Sequence, residues 1–132
     1  MRKKEKAEQM KSNTNALKEY ITSLLKTACA HVHFEKCSEK SYPYIVYELS
    51  ETGHEAGRTQ YKFEVNCIDK GTATAVDDIA DCIQDMFDEG SYDNEKISFY
   101  TYRNLRQTVD EEDKNIRRRR LIFELYFYSK EE

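Results

Sequence analysis

Hydrophobic and polar residues alternate along the middle of the chain, and the spacing becomes helical after Gly71. From Tyr61 to Cys67 the apolar residues occupy every second position, which predicts a strand with one buried face. Beyond Gly71 the apolar residues recur at helical spacing, namely Val76, Ile79, Ala80, Ile83, Met86 and Phe87. Thr74 and Asp77 are spaced as a capping box, and Gly90 follows as a stop signal. This stretch therefore predicts a strand, a turn and an amphipathic helix.

The same two patterns predict the other elements. They indicate a helix over 14–28, a short strand over 30–35, and longer strands over 42–50, 96–103 and 116–128. The polar segment 51–57 predicts a hairpin loop longer than the tight two-residue type, and 108–115 predicts a second polar loop. Runs of strands separated by single helices favour an α+β fold. We expect a mainly antiparallel sheet of four strands, or five if 30–35 pairs, with two helices packed on one face.

Length and charge narrow the class of protein. The 132 residues fit one domain, which we assign to 14–132, and residues 1–13 are expected to form a basic, disordered lead-in. A net charge of −4 gives no general attraction to nucleic acid or to an anionic membrane. No apolar run has the length of a membrane span, and Met1–Lys6 lacks the apolar segment of a signal peptide. The sequence therefore predicts a cytoplasmic protein.

The strands have a second face that two helices cannot cover. In the last strand, Leu121, Phe123, Leu125 and Phe127 would face the core, and tyrosines alternate with them. Tyrosine suits protein interfaces because its ring can be buried while its hydroxyl stays hydrogen-bonded. The alternative is that tyrosines merely sit well in strands. We favour an interface, and its candidate residues in the strands are Tyr44, Val46, Tyr100, Tyr102, Tyr126 and Tyr128.

The run Arg117–Arg120 invites a nucleic-acid interpretation, but alternate residues of a strand point to opposite faces. The four arginines therefore do not form one patch, and the acidic loop 110–113 would partly neutralise them. We favour ion pairing, with the hypothesis that Arg118 and Arg120 pair with acidic residues of a neighbouring subunit. Asp110, Glu111 and Glu112 of the loop join the interface candidates.

Residues suited to catalysis or metal binding are few. Cys29, His31, His33 and Cys37 are a weak zinc candidate, because their spacing matches none of the common zinc motifs. The aspartates of the second helix alternate with its apolar stripe and are expected to be solvated. Phosphate-binding and nucleophile motifs are missing from the sequence. We therefore expect no enzyme activity, no metal and no cofactor.

The order and size of the elements over residues 14–128 resemble a known family. The segments that carry the resemblance are Leu17–Ala28, Tyr42–Glu48, Tyr61–Asp69, Ala75–Phe87 and Arg119–Phe127. They are similar to the tail terminator, or tail completion, proteins of long-tailed phages (siphovirus and myovirus type) and prophage elements. The resemblance leaves the basic residues 1–11 unexplained.

Membership of that family would imply an α+β subunit without an active site. Several copies, usually six, would form a ring that caps the tail tube and joins it to the head. The implied partners are other copies of the chain, the tube protein and a head-completion or connector protein. The implied location is the host cytoplasm during assembly and then the head–tail junction of the virion. Neither a membrane nor a specific nucleic acid is an expected partner.

Other functions remain open from the sequence. The chain could be another head–tail connector or a minor tail protein, which would use similar surfaces. It could also be a small nucleic-acid-binding module that uses Arg117–Arg120, or a cytoplasmic inhibitor or adaptor.

Overall fold

One mixed sheet with two helices makes up the part of the chain that the computed structural model describes, residues 2–37 and 41–130, with 2–12 as helix main chain alone. In chain order the elements are α1 (Arg2–Leu25), β1 (Val32–Phe34), β2 (Tyr44–Glu55), β3 (Arg58–Lys70), α2 (Ala73–Phe87), β4 (Glu89–Asp93), β5 (Ile97–Val109) and β6 (Ile116–Ser129). The strand order is β1-β2-β3-β6-β5-β4. Only the β1–β2 pair is parallel among these neighbours.

The α+β class and the two helices were predicted, but the sheet has six described strands rather than four or five. β4 was missed because its sequence, Glu-Gly-Ser-Tyr-Asp, has one large apolar residue and no alternation to detect. It forms an edge strand, and one neighbour, β5, supplies its pairing. The predicted short strand at 30–35 is β1, at the opposite edge.

Both helices pack on the same face of the sheet, as predicted. Leu17, Ile21 and Leu25 of α1 share one buried cluster with Val76, Ala80 and Ile83 of α2 and with the inward residues of β2, β3, β5 and β6. At its centre Phe63 of β3 pairs with Phe123 of β6, and Phe87 of α2 lies 5.0 and 5.6 Å from their ring centroids. Burial of each ring contributes roughly 1.5–3 kcal/mol before chain entropy is subtracted.

The β2–β3 hairpin is tighter than predicted. The polar segment that was expected to be a loop continues β2 to Glu55, which pairs with Arg58. The turn is then Ala56–Gly57, with φ of 51° and 78°, the left-handed pair that matches strand twist in two-residue hairpins. The alternation in β2 stops early because the outer part of that strand is largely exposed on both faces. We call the end of the sheet at this turn the turn end, and the end at the β5–β6 loop (110–115) the loop end.

The predicted helix ends also need correction. α2 follows Thr72, whose side chain makes no capping hydrogen bond, and Thr74 lies inside the helix. Asp77 does not complete a capping box, because its carboxylate bonds Arg119 of β6 at 2.7 Å. α1 ends at Leu25 and its main chain is helical from Arg2, earlier than predicted. The side chains of residues 2–12 lie outside the described part, so the division into a lead-in and a domain stays a prediction.

Gly90 does not stop α2 but lies in β4, where the backbone leaves no room for a side chain. A Cβ at this position would lie 2.5 Å from the main-chain oxygen of Met86 and 2.9 Å from Oγ1 of Thr101. That hydroxyl is buried and donates to the Phe87 carbonyl at 2.8 Å, so it is held in place. Glycine at this position lets β4 follow directly after the helix.

We expect Gly90→Ala to lower the free energy of unfolding by roughly 1–3 kcal/mol, because backbone must move to admit the methyl group. Urea denaturation monitored by circular dichroism measures this change. Gly53→Ala is the matched control, since no atom lies within 4 Å of its Cβ position. Equal stability of the two variants would contradict this account of Gly90.

Candidate interaction surface

The face of the sheet opposite the two helices, which we call the open face, is covered by neither described helix. The registers place on it Glu48 of β2, Lys62, Glu64, Asn66 and Ile68 of β3, Tyr100, Tyr102 and Leu105 of β5, and Arg118, Arg120, Ile122, Tyr126 and Tyr128 of β6. Tyr102 and Leu105 are the most exposed large apolar side chains of the described residues, at 46% and 40%. The open face therefore combines apolar and charged groups in the way that protein interfaces do.

Toward the turn end the open face carries a tyrosine cluster, formed by Tyr100, Tyr102, Tyr126 and Tyr128. Tyr100 stacks on Tyr126 with ring centroids 5.0 Å apart and on Tyr128 at 6.0 Å. Tyr102 stands edge-on to Tyr100 at 5.6 Å. Each ring is thus held by its neighbours, so a partner could bury the cluster with little loss of side-chain freedom.

Arg58 gives the tyrosine cluster a positive charge. Its guanidinium lies 4.8 Å from the ring centroid of Tyr126, a cation–π contact. The hydroxyls of Tyr100 and Tyr128 lie 3.4 Å apart. The pKa of Tyr100 is lowered from its ordinary value, first because Tyr128 hydrogen-bonds its oxygen and then because Arg58 does. The cluster is therefore a rigid surface with a polar rim.

Toward the loop end the open face carries a chain of polar contacts. Asn66, only 6% exposed, donates to Glu64 Oε2 at 3.0 Å and accepts from Arg118 Nε at 3.0 Å. Arg118 also bonds Glu111 Oε1 at 3.2 Å, and Arg120 Nε lies 3.6 Å from Glu64 Oε2. The acidic loop thus neutralises part of the arginine run, and both open-face arginines have acidic partners within their own chain.

The other two arginines of the run point to the helix side, as the alternation predicts. Arg117 Nε donates to the Gly71 carbonyl at 3.2 Å. Arg119 donates two hydrogen bonds to the carboxylate of Asp77, from Nε at 2.7 Å and from Nη2 at 3.4 Å. The run is therefore not one patch, and pairing of Arg118 and Arg120 with a neighbouring subunit stays a prediction.

Asp78 and Asp85 of α2 are exposed, as expected, but Asp77 and Asp81 form ion pairs that the sequence did not predict. Arg106 of β5 bonds Asp81 at 2.7 Å and lies 3.6 Å from Asp77. Arg103 lies 3.4 Å from Asp88, which follows the helix. The pKa of Asp77 is lowered, chiefly because Arg119 hydrogen-bonds its carboxylate. Sequence periodicity could not reveal these pairs, because they join residues far apart in the chain.

The remaining predicted interface residues differ in accessibility. Tyr44 is 7% exposed, because Tyr42 and His33 lie against it with centroids 5.5 and 6.3 Å away. Val46 is half-buried beside it. Asp110 and Glu112 are exposed in the β5–β6 loop. Tyr44 is thus part of the support for the open face, while its neighbours at the loop end are accessible. Sequence reasoning missed Arg58 and Leu105, which the strand registers bring to the open face with the tyrosines.

The weak zinc candidate is not assembled. The Cys29 thiol is buried and donates to the Pro43 carbonyl at 3.3 Å, and burial raises its pKa. His33 lies against Tyr44 on the open face. Within residues 13–37 and 41–130, no three histidine, cysteine or acidic side chains are grouped as metal ligands would be. Burial raises the pKa of Cys67 to about 12, so that thiol is no nucleophile at neutral pH.

Comparisons with known proteins add a structural likeness. No protein-family model matches the chain, and no curated protein matches it. A chain from the solved structure of the virion of a native gene transfer agent particle is similar in fold, with a TM-score of 0.54 and 10% identity. The match covers 78% of this chain and 83% of that one, and at this identity it shows the fold alone. None of the described helices is long and apolar enough to cross a membrane.

We expect Asp77→Asn to reduce the free energy of unfolding at pH 7 by less than about 1 kcal/mol, because the Asp77 carboxylate is partly exposed. A lowered folded-state pKa gives stability that is present above the ordinary value of 3.8 and is lost as the pH falls through the folded-state value. The difference between wild type and variant should therefore shrink below pH 4. Urea titrations at pH 7 and at lower pH measure it. Asp78→Asn is the control, and a pH-independent difference would contradict the pairing.

Proposed function

We propose that this chain is a phage or prophage structural protein that caps the tail tube and joins it to the head, acting as a ring of identical subunits. The observation that carries the proposal is the open face, where a tyrosine cluster and exposed Leu105 lie without a covering helix in the described structure. In this proposal the protein is not an enzyme. Its partners are other copies of itself, a tube protein and a head connector.

The physical reason for proposing a ring is that a single copy leaves a tyrosine-rich face and parts of two strand edges exposed. Rigid stacked tyrosines bury much area at low cost in conformational entropy. β1 and β4 shield only parts of the sheet edges, since they pair with 45–47 of β2 and 98–102 of β5. Residues 48–55 and 104–109 therefore offer strand edges that a neighbour could cover. Such unlike surfaces suit a heterologous, head-to-tail contact, which closes into a ring when the rotation permits.

Two similarities to known proteins support a structural role in a phage-like particle. The sequence segments from Leu17 to Phe127 resemble tail terminator proteins in order and size. The fold resembles a chain of a gene transfer agent virion, so a structural role in such a particle is the coarser form of the proposal. Assembly in the host cytoplasm and a final place at the head–tail junction belong to the proposal. Another connector or a minor tail protein would use the same open face.

The nucleic-acid alternative has less support from the geometry. Arg118, Arg119 and Arg120 each face a carboxylate of their own chain, and Arg117 lies on the opposite face from Arg118. Binding of DNA would have to break these pairs and overcome a net charge of −4. DNA affinity that falls steeply with salt at physiological ionic strength would favour this alternative instead.

We expect the native protein to form one discrete oligomer, seen by light scattering after size exclusion across a range of concentrations. Tyr102→Lys should weaken the assembly at least about tenfold without loss of stability, because the lysine adds a charge to the tyrosine cluster and the side chain it replaces is exposed. Glu19→Lys, on the exposed side of α1, is the matched control and should assemble normally.

Two results would contradict the proposal. The first is a monomer at every concentration that also fails to bind isolated tail tubes. The second is unchanged assembly of the Tyr102 variant with a folded structure.

A further inference from the structure

An open cleft of about 720 Å³ lies at the loop end of the open face, between the segment after β1 and the β5–β6 loop. Of the described residues, six carboxylates line it: Glu35, Glu48, Glu64, Glu111, Glu112 and Asp113. The basic residues among the described lining are Lys36 and Arg118. The cleft is therefore strongly acidic, although the strand beneath it is the most arginine-rich of the chain.

The acidic charge of the cleft is only partly compensated. Glu64 and Glu111 engage Arg120 and Arg118. Glu35, Glu48, Glu112 and Asp113 make no ion pair with any residue that the structure describes. Like charges that share a concave surface repel one another, and a cation placed there would relieve that repulsion.

A phenol of the cleft wall is also open to a ligand. Tyr44 lines the cleft and is only 7% exposed, and its hydroxyl is not closed off from solvent and has no hydrogen-bond partner among the side chains that the structure describes. A phenol held in this way can accept a hydrogen bond from an ammonium or guanidinium group. The cleft thus fits a positively charged segment of protein.

The chain contains such a segment at the other end of the molecule. Residues 1–12 carry Arg2, Lys3, Lys4, Lys6 and Lys11 against Glu5 and Glu8. α1 reaches the turn end of the sheet at Asn13, whose side chain donates to Ser129 at 2.9 Å. The main chain continues as a helix from there to Arg2. The basic segment is therefore attached at the end of the sheet opposite the cleft.

As the helix that its main chain forms, the segment is too short to reach the cleft of its own copy. Ser129 and Arg118 are separated by eleven residues of β6, about 36 Å along the strand. The helical segment before Asn13 is only about 16 Å long. A neighbouring copy can present its cleft to this segment without either part changing its fold.

We propose that the basic segment 1–12 of one copy docks in the acidic cleft of the next copy. The contact joins the turn end of one subunit to the loop end of another, so it is heterologous and can build a ring. It gives the lead-in, which the family resemblance leaves unexplained, a role in setting the order of subunits. This inference rests on the proposed self-assembly, but its test does not depend on ring formation.

A peptide-binding experiment tests the docking directly. The receptor is the full chain with Arg2, Lys3, Lys4 and Lys6 changed to glutamine, so that its own segment cannot compete. The probe is a fluorescent peptide of residues 1–12, followed by anisotropy. We expect saturable binding that weakens at least about tenfold between 50 and 300 mM salt, because the contact is electrostatic. Glu112→Lys with Asp113→Lys in the receptor should abolish binding.

The controls distinguish binding in the cleft from nonspecific attraction to acidic residues elsewhere on the protein. Glu55→Lys with Glu95→Lys removes exposed acidic charge at the turn end and should leave peptide binding unchanged. A peptide with the four basic residues replaced by glutamine should not bind. Failure of the native peptide to bind, or equal binding by the two lysine receptors, would overturn the inference.

A charge-exchange experiment in the full chain tests whether the same contact joins subunits in the assembly. Replacing Arg2, Lys3, Lys4 and Lys6 by glutamate should weaken association at least about tenfold, and adding Glu112→Lys with Asp113→Lys should restore it. If the glutamate variant assembles like the wild type, the docking inference fails while the proposed ring function stands. If the peptide binds but no form of the chain assembles, the proposed function fails and the cleft remains a binding site.

Discussion

A sheet has two faces, and the described part of this chain has two helices to cover them, both of which lie on the same side. The choice of side is made by the pairing of β3 with β6, which sets Phe63 beside Phe123 and gives α2 a surface on which to place Phe87. Once these rings are buried, the period of two sends every intervening residue to the open face. The tyrosine cluster is thus a consequence of how the core is built, and its exposure makes it available for assembly.

The ion pairs also differ between the helix side and the open face of the sheet. On the helix side, Asp77 and Asp81 hold α2 to β5 and β6 through Arg106 and Arg119, so these charges serve the fold of one subunit. On the open face, Arg118 and Arg120 neutralise Glu111 and Glu64, while the other acids of the cleft make no ion pair with the residues that the structure describes. These remaining carboxylates are those that a neighbouring subunit could bind. The subunit carries them at its loop end and a basic segment at its turn end. A contact between these two ends would make successive subunits point the same way.

The features that sequence could predict are those set by local periodicity. The alternation in β3 and β6 identifies the buried face and the split of the arginine run, and the stripe of α2 identifies its core residues. β4 escapes detection because an edge strand needs little apolar character, and Gly90 is misread because its constraint comes from Met86 and Thr101 rather than from a helix end. The salt bridges of Asp77 and the cleft depend on which strands become neighbours. That order is fixed by the whole fold and cannot be obtained from spacing in any single segment.

The central claim is that the open face, not the helix side, is the surface that copies of this protein bury. Hydroxyl-radical footprinting of the native protein, at concentrations below and above assembly, tests it most directly, because tyrosines lie on both sides. The account predicts that Tyr102 and Tyr126 become protected as the oligomer forms, while the half-buried Tyr20 and Tyr92 of the helix side keep their reactivity. Protection of Tyr20 and Tyr92 with unchanged reactivity of the tyrosine cluster would contradict the account.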